Sequence, residues 1–314
     1  MATASRPNPE NSHALPSDHP ESWIFLCRSA DLSRTRPAAL KMLDREIIVY
    51  RTASGTPVAQ HRYCAHMGSD LSKGKVRGEC IQCPFHAWEF NREGACVKVP
   101  GTEEIPPFAR IASYPVEEQN GLVFLFPGKT PSYPLPRLDP DLVASRPIRL
   151  EVDAAWHLVG ANAFDIAHLE HVHGRKPLRK PEIVHPHPYA ARIVHEYKIT
   201  GDFWQDRLIR KVYGEDGGLD FTSWGGTLCL ATTTFGKMKN QMLISTQPLS
   251  KNRSLTDILV LGKSPWRLPL RRLFTKLFFK QEADSLRNIR YNPKTLAGPD
   301  QILAEYMSWL ASLR

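Results

Sequence analysis

Cys64-Ala65-His66 and, sixteen residues further on, Cys83-Pro84-Phe85-His86 decide how this chain is read. Two Cys–His pairs of matched local spacing put two thiolates and two imidazoles on two loops. Such a set of soft and borderline donors suits zinc or an iron–sulfur centre. Cys-x-His is tighter than the first pair of a zinc knuckle, which is spaced by roughly two to four residues. In a [2Fe–2S] centre, two Cys can hold one iron and two His the other, and exchanging anionic thiolates for neutral imidazoles raises the potential.

Outward from these loops the pattern is of short apolar runs split by turn signals. Ile47-Ile48-Val49-Tyr50 stops at Ala53-Ser54-Gly55-Thr56-Pro57, Leu122 to Phe126 stops at Pro127-Gly128, and Asn91-Arg92-Glu93-Gly94 reads as a hairpin tip. A small all-β domain over 22–127 is expected. Residues 1–21, rich in Pro, Ser and Asn, are expected to form a disordered tail. Prolines 127, 131, 134, 136, 140 and 147 mark an extended connector over 128–149. The remainder, 150–314, mixes a helix at 156–171, strand runs within 190–262 (Arg192–Ile199, Leu228–Phe235, Leu255–Leu261), and helices at 268–290 and 299–313.

The composition agrees with two globular domains. At 42% hydrophobic and 23% charged, collagen-like, low-complexity and fully disordered chains are excluded. No uncharged apolar run reaches the ~18 residues of a membrane span, and the N-terminus has no apolar leader core, so a cytoplasmic address is expected. Six cysteines without a leader read as thiols or metal ligands, with Cys27, Cys80, Cys96 and Cys229 as small buried hydrophobes. The net charge is +9, and Lys263 to Lys294 holds nine bases against Glu282 and Asp284, which is +7.

A second constellation lies in Asn162-Ala-Phe-Asp165-Ile-Ala-His168-Leu-Glu-His171-Val-His173-Gly174. Two His and a distant carboxylate can form a facial triad that binds Fe(II) on one side and leaves positions open. On an ideal helix His168 and His171 are neighbours, while His173 lies about 140° round. Gly174 answers part of that objection by ending the helix and letting His173 turn back. The carboxylate candidates are Glu282 and Asp284. Phe278, Glu282, Leu286 and Ile289 fall at i, i+4, i+8 and i+11, an inward apolar stripe, whereas Asp284 shares its face with Gln281 and Asn288. A charged carboxylate on a buried stripe must be paired or bound to metal, an ion pair with Arg271 being the plain alternative.

Cys64-Ala-His66-Met-Gly68 and Cys83-Pro-Phe-His86-Ala-Trp88, with flanks Leu71 to Val76 and Gly94-Ala-Cys96, resemble the Rieske proteins of the oxygenase branch. In the respiratory branch each loop carries an extra, disulfide-forming Cys; here Ser69 and Phe85 stand in those slots. Met67 replaces a frequent Arg, and Ala87 a frequent Gly. Asn162, Asp165, His168 and His173 fill the oxygenase pattern N-x-x-D-x-x-H-x-x-x-x-H. The resemblance implies one [2Fe–2S] cluster on Cys64, His66, Cys83 and His86, and one mononuclear Fe(II) on His168, His173 and a carboxylate. The family's C-terminal stretch, laid on Asn288, Arg290-Tyr291 and Pro293, puts Glu282 in the ligand slot. The family's preference for Asp favours Asp284 instead.

Asp165, grouped with Asn162 in the catalytic set, would by the same resemblance bridge His168 to His86 of the next subunit in a head-to-tail homotrimer. The implied fold is α+β: an all-β Rieske domain, then a catalytic domain with a curved antiparallel sheet and flanking helices. The implied function is the terminal oxygenase of a multicomponent system. NAD(P)H electrons arrive through a ferredoxin or reductase, and O₂ is used for monooxygenation, dealkylation or desaturation of an apolar ring compound. The stretch from Gln281 to Pro293 loosely resembles single-subunit-type oxygenases of steroids. A Rieske electron carrier, a zinc-binding interaction module and a cis-dihydroxylating dioxygenase remain alternatives. The basic stretch 263–294 is expected to help dock an acidic electron donor. Contact of Leu268–Phe279 with a membrane surface is its rival, and no nucleic-acid partner is expected.

Overall fold

The computed structural model describes residues 16, 17 and 20–313. Most of the expected tail, 1–21, lies outside the described residues. The chain forms two compact units: Trp23–Pro140, and Asp141 onward together with the described residues before Trp23.

The first unit is all β. Its strands are β1 (Ile24–Arg28), β2 (Ala38–Met42), β3 (Arg45–Arg51), β4 (Pro57–His61), β5 (Lys75–Arg77), β6 (Cys80–Gln82), β7 (Glu89–Phe90), β8 (Cys96–Lys98), β9 (Ser113–Tyr114), β10 (Val116–Gln119) and β11 (Leu122–Leu125). They make three small antiparallel sheets, β1-β11-β10, β2-β3-β4-β9 and β5-β6-β7-β8. Asn91 to Gly94 turns between β7 and β8, with Asn91 Oδ1 accepting from the Ala95 N–H. One core of Ile48, Tyr50, Leu71, Ile81, Trp88 and Phe90 also buries Cys64 and Cys83.

Residues 128–149 do not form a separate connector. Prolines cannot donate to a sheet ladder, yet the carbonyls of this stretch are bonded by side chains of the first unit. Trp23 Nε1 donates to Tyr133 O (2.9 Å), Gln119 Nε2 to Pro136 O (2.7 Å) and Asn120 Nδ2 to Asp139 O (2.8 Å). Beyond Pro140 the chain enters the second unit's sheet.

That unit runs β12 (Val143–Ala144), β13 (Ile148–Val152), α1 (Trp156–Ala161), α2 (Ile166–His171), β14 (Arg175–Pro177), β15 (Ile183–His187), β16 (Ala190–Ile199), α3 (Trp204–Tyr213), β17 (Asp216–Trp224), β18 (Leu228–Phe235), β19 (Met238–Ser250), β20 (Arg253–Gly262), α4 (Leu268–Ser285) and α5 (Gln301–Ser312). Among the described residues the sheet has nine strands, ordered β12-β20-β19-β18-β17-β16-β14, with β13 on β20 and β15 on β16. All its pairings are antiparallel. Trp156, Phe164, Phe221, Ile258, Phe279 and Tyr306 belong to the core that joins sheet and helices.

Four local expectations are corrected. The segment 156–171 is two helices, because the 3₁₀ turn Asn162–Phe164 ends at an extended Asp165 whose carboxylate caps α2. Helix α3 interrupts the region read as strands; among its described side chains Asp206 is buried and Ile209 half-buried, while Trp204, Leu208 and Val212 are exposed, so its apolar row is not a core stripe. Helix α4 stops at Ser285, and Asn288 has a left-handed φ of 64°. Ile289 is thereby off the helix and exposed, and Phe278 is exposed too. The inward stripe is instead Leu268, Thr275, Phe279, Glu282 and then Leu286 at the C-cap.

Candidate metal centres

The first centre is built from two loops of the same design. Loop one leaves β4 and loop two joins β6 to β7. In the first, the Gly68 N–H donates to Cys64 O (3.0 Å), and the Cys64 N–H to Ser69 O (2.9 Å). In the second, the Ala87 N–H donates to Cys83 O (3.2 Å), and the Cys83 N–H to Trp88 O (2.8 Å). The closing residue is left-handed in both, Gly68 at φ 69° and Ala87 at φ 58°. That conformation explains why glycine is favoured where Ala87 stands.

Both cysteines are buried, whereas His66 and His86 lie at the surface with their rings 4.7 Å apart. Trp88 stacks on His66 at 4.5 Å. Cys64 and Cys83 are in side-chain contact, and burial, reinforced by that contact, pushes the Cys64 thiol up to about 11. Two touching buried thiols with two imidazoles outside them fit a [2Fe–2S] group, which Cys64, Cys83, His66 and His86 would hold. Arg62 braces loop one: its Nε and Nη2 grip Asp70 at 3.0 and 2.7 Å, and Nη1 reaches Glu46 at 3.1 Å. Asp70 also caps the turn Leu71–Lys73 through the Ser72 N–H. Of the other cysteines, Cys96 and Cys229 are buried, and Cys27 and Cys80 are half-buried.

The second centre joins α2, the residues after it, and α4. His168 Nε2 and His173 Nε2 are 3.1 Å apart, and Glu282 Oε1 and Oε2 lie 3.2 and 2.7 Å from them respectively. Asn162 Nδ2 donates to Glu282 Oε1. Burial alone would raise the Glu282 carboxyl, but the two imidazoles outweigh it and hold it at about 2. Burial also opposes a charge on His168, yet Glu282 raises its pKa above the ordinary value. Glu282 Oε2 is buried and, despite its closeness to His173, accepts no hydrogen bond of acceptable geometry. Donor atoms that converge on a common point rather than on each other fit a metal: ligands at about 2.1 Å and right angles sit roughly 3 Å apart.

His173 reaches the group because α2 ends at His171 and Gly174 turns left-handed at φ 58°. A Cβ on Gly174 would fall 2.2 Å from Gly201 N, so only glycine fits. Arg175 fixes the turn. Its Nη1 donates to His173 O (2.7 Å), its Nη2 to the buried Asp206 (2.6 Å), and it lies over the Tyr197 ring. Neither Arg175 nor Asp206 carried a signal in the sequence, since each owes its role to contacts across the fold. Asp165 Oδ1 accepts from the His168 N–H (2.9 Å) as the α2 cap. His171 points away, with Nδ1 on Ala167 O. Asp284 is also apart: it is half-exposed and pairs with Arg287 (2.7 Å). Arg271 bonds Asn240 and Lys239 O rather than Glu282.

Residues 22–115 match the family model of the Rieske [2Fe-2S] domain, a span that contains both loops. The chain carries a Rieske [2Fe-2S] domain. Among its relatives, the cholesterol 7-desaturase nvd 1 of Ciona intestinalis is 34% identical over 51% of this chain and 36% of its own length. The oxygenase component of the 3-ketosteroid-9-alpha-monooxygenase of Rhodococcus rhodochrous is 28% identical over 48% of this chain and 42% of its own. The chain thus spans less than half the length of these two curated relatives. Its fold is that of dicamba monooxygenase in complex with dicamba, with a TM-score of 0.69, 17% identity, and 95% and 98% of the two chains covered.

Proposed function

We propose that this chain is the terminal oxygenase of a multicomponent system, fed with NAD(P)H electrons through a ferredoxin or reductase. The reading is carried by one observation: His168, His173 and Glu282 converge, with a buried carboxylate oxygen lacking a hydrogen bond, in a chain that also carries a Rieske domain. Cys64, His66, Cys83 and His86 would hold the cluster, and His168, His173 and Glu282 a mononuclear Fe(II). When bound, these groups supply electrons one at a time and activate O₂. Two electrons and two protons then balance transfer of one oxygen atom to substrate and the other to water.

The chain's own residues set the geometry. Asn162 orients the Glu282 carboxylate, and Arg175 holds the backbone of His173. Phe278, 5.1 Å from His173 between ring centroids, offers an apolar wall to a substrate ring. Apolar ring substrates accord with the names of the two relatives, one for cholesterol and one for a ketosteroid. Asp165 is half-buried and His86 is at the surface. We assign the electron path to Asp165 of one subunit and His86 of the next in a head-to-tail trimer.

Purified protein is expected to hold the cluster's two irons plus one, and to form an oxidised product from ring substrates with O₂, NADH and a surrogate reductase. A protein with the cluster's irons alone is an electron carrier, and a colourless protein holding zinc is neither. In a chain with Asp165→Asn, stopped-flow reduction should give a cluster that no longer reoxidises with substrate and O₂. Normal reoxidation would place the bridge elsewhere.

A further inference from the structure

Helix α4 has a second apolar face, of which only Phe278 touches a metal centre. Trp266, Leu270, Leu273, Phe274, Leu277 and Phe278 are all exposed, Trp266 by 74% and Leu270 by 63%. From Leu270 they fall at i, i+3, i+4, i+7 and i+8, a helical stripe opposite the inward one, with Trp266 in the 3₁₀ turn Pro265–Arg267 just before the helix. Cations flank it. Between Lys263 and Gln281 there are six bases and no acid; Arg267, Lys276 and Lys280 are exposed, and Arg267 lies on the Trp266 ring at 4.6 Å.

Helix α3 also shows exposed apolar side chains, Trp204, Leu208 and Val212. Its last residue meets the β18–β19 turn, where a Cβ on Gly236 would lie 2.8 Å from Tyr213 O. Arg271 ties α4 to the same hairpin at Lys239 O. The stripe ends at Phe278, beside His173.

We propose that α4 docks on the surface of an anionic lipid bilayer. A row of Leu and Phe in the acyl boundary, Trp at one end and Lys and Arg at headgroup level is the chemistry of an interfacial helix. No helix among the described residues is long and apolar enough to cross a membrane, so the contact is peripheral. A two-fold second copy fits poorly, since it sets Arg267, Lys276 and Lys280 against their own equivalents, and a heterologous contact within a head-to-tail ring is the outcome that the self-association measurement below detects. An acidic protein would satisfy the flanking bases but leave the central Leu and Phe against a polar surface. The lipid contact stands apart from the oxygenase reading; only its use as an entry route for an apolar substrate, through Phe278 to His173, rests on it.

The test is co-sedimentation of the full chain with vesicles of phosphatidylcholine alone, or mixed with phosphatidylserine. Binding is expected only to the anionic vesicles and should fade between 0.1 and 1 M NaCl, as the screening length falls from about 10 to about 3 Å. Leu270→Glu with Leu273→Glu, and separately Lys276→Glu with Lys280→Glu, should each weaken it at least ~10-fold with melting temperature unchanged. Wild-type protein that stays in the supernatant, or variants that bind as well as wild type, overturn the proposal. Self-association, or salt-sensitive binding to an acidic ferredoxin, that is lost in these variants without any vesicle binding also overturns it. The face then belongs to a second copy or to the electron donor.

Discussion

The two metal centres are made in opposite ways. All four donors of the first lie between Cys64 and His86 on two loops closed by the same backbone hydrogen bonds. The second takes His168 and His173 from one end of α2, and Glu282 from a helix that comes after the whole of β14–β20. A local site carries its geometry in its spacing. A distant one exists only once the sheet has folded, and each ligand needs a separate positional device: a cap at Asp165, a left-handed turn at Gly174, a buried stripe on α4.

The largest effect tests the local site. Cys64→Ala removes one of four donors, and the cluster's visible spectrum should vanish while His168, His173 and Glu282 keep their metal. Loss of both metals together would mean the two centres do not assemble independently. Next comes the distant site's support. Asp206→Asn should weaken the grip of Arg175 on His173 and lower mononuclear iron affinity by roughly 10–100-fold, measured by competition with a chelator, with the cluster spectrum intact. Unchanged affinity would show that Gly174 alone sets His173.

Two smaller effects sharpen the account of the loops. Arg62 holds the Asp70 carboxyl well below the usual carboxylate range, against a modest opposing push from burial. A carboxyl depressed in the folded state stabilises fully above its unfolded pKa of about 3.9, and that stability drains away as the pH falls below it. Asp70→Asn should therefore cost about 1–2 kcal/mol at neutral pH in denaturant titrations. The gap to wild type should narrow below about pH 4; a pH-independent gap would mean the carboxylate's charge is irrelevant. Ala87→Gly relieves a left-handed alanine and should add roughly 0.5–1 kcal/mol, read as a rise in melting temperature. A fall would mean that Ala87 packs better than its backbone suffers.

This contrast also governs what the sequence made legible. The all-β first unit and the α+β class follow from pattern and resemblance, whereas of the six candidate Cys and His donors His173 rests on the resemblance alone, because helix spacing points to His171. The break at Asp165 does not, because a cap inside a helical pattern looks like one more polar residue. Helix α3 has an apolar row, Trp204, Leu208 and Val212 at i, i+4 and i+8, but that row faces solvent rather than core, and the buried position is Asp206. The sequence stripe Phe278, Glu282, Leu286 and Ile289 points to Glu282 although only Glu282 and Leu286 of it are buried, the inward position before Glu282 being Phe279 rather than Phe278. Arg175 and Asp206 left no pattern, being 31 residues apart and joined only by the fold.

Metal content of two single variants tests the central claim most directly. Glu282→Ala should retain the Rieske spectrum and lose the mononuclear iron, whereas Asp284→Ala, which removes only a half-exposed pair with Arg287, should retain both. The reverse pattern, with iron lost from the Asp284 variant and kept in the Glu282 variant, would contradict a mononuclear centre built on His168, His173 and Glu282.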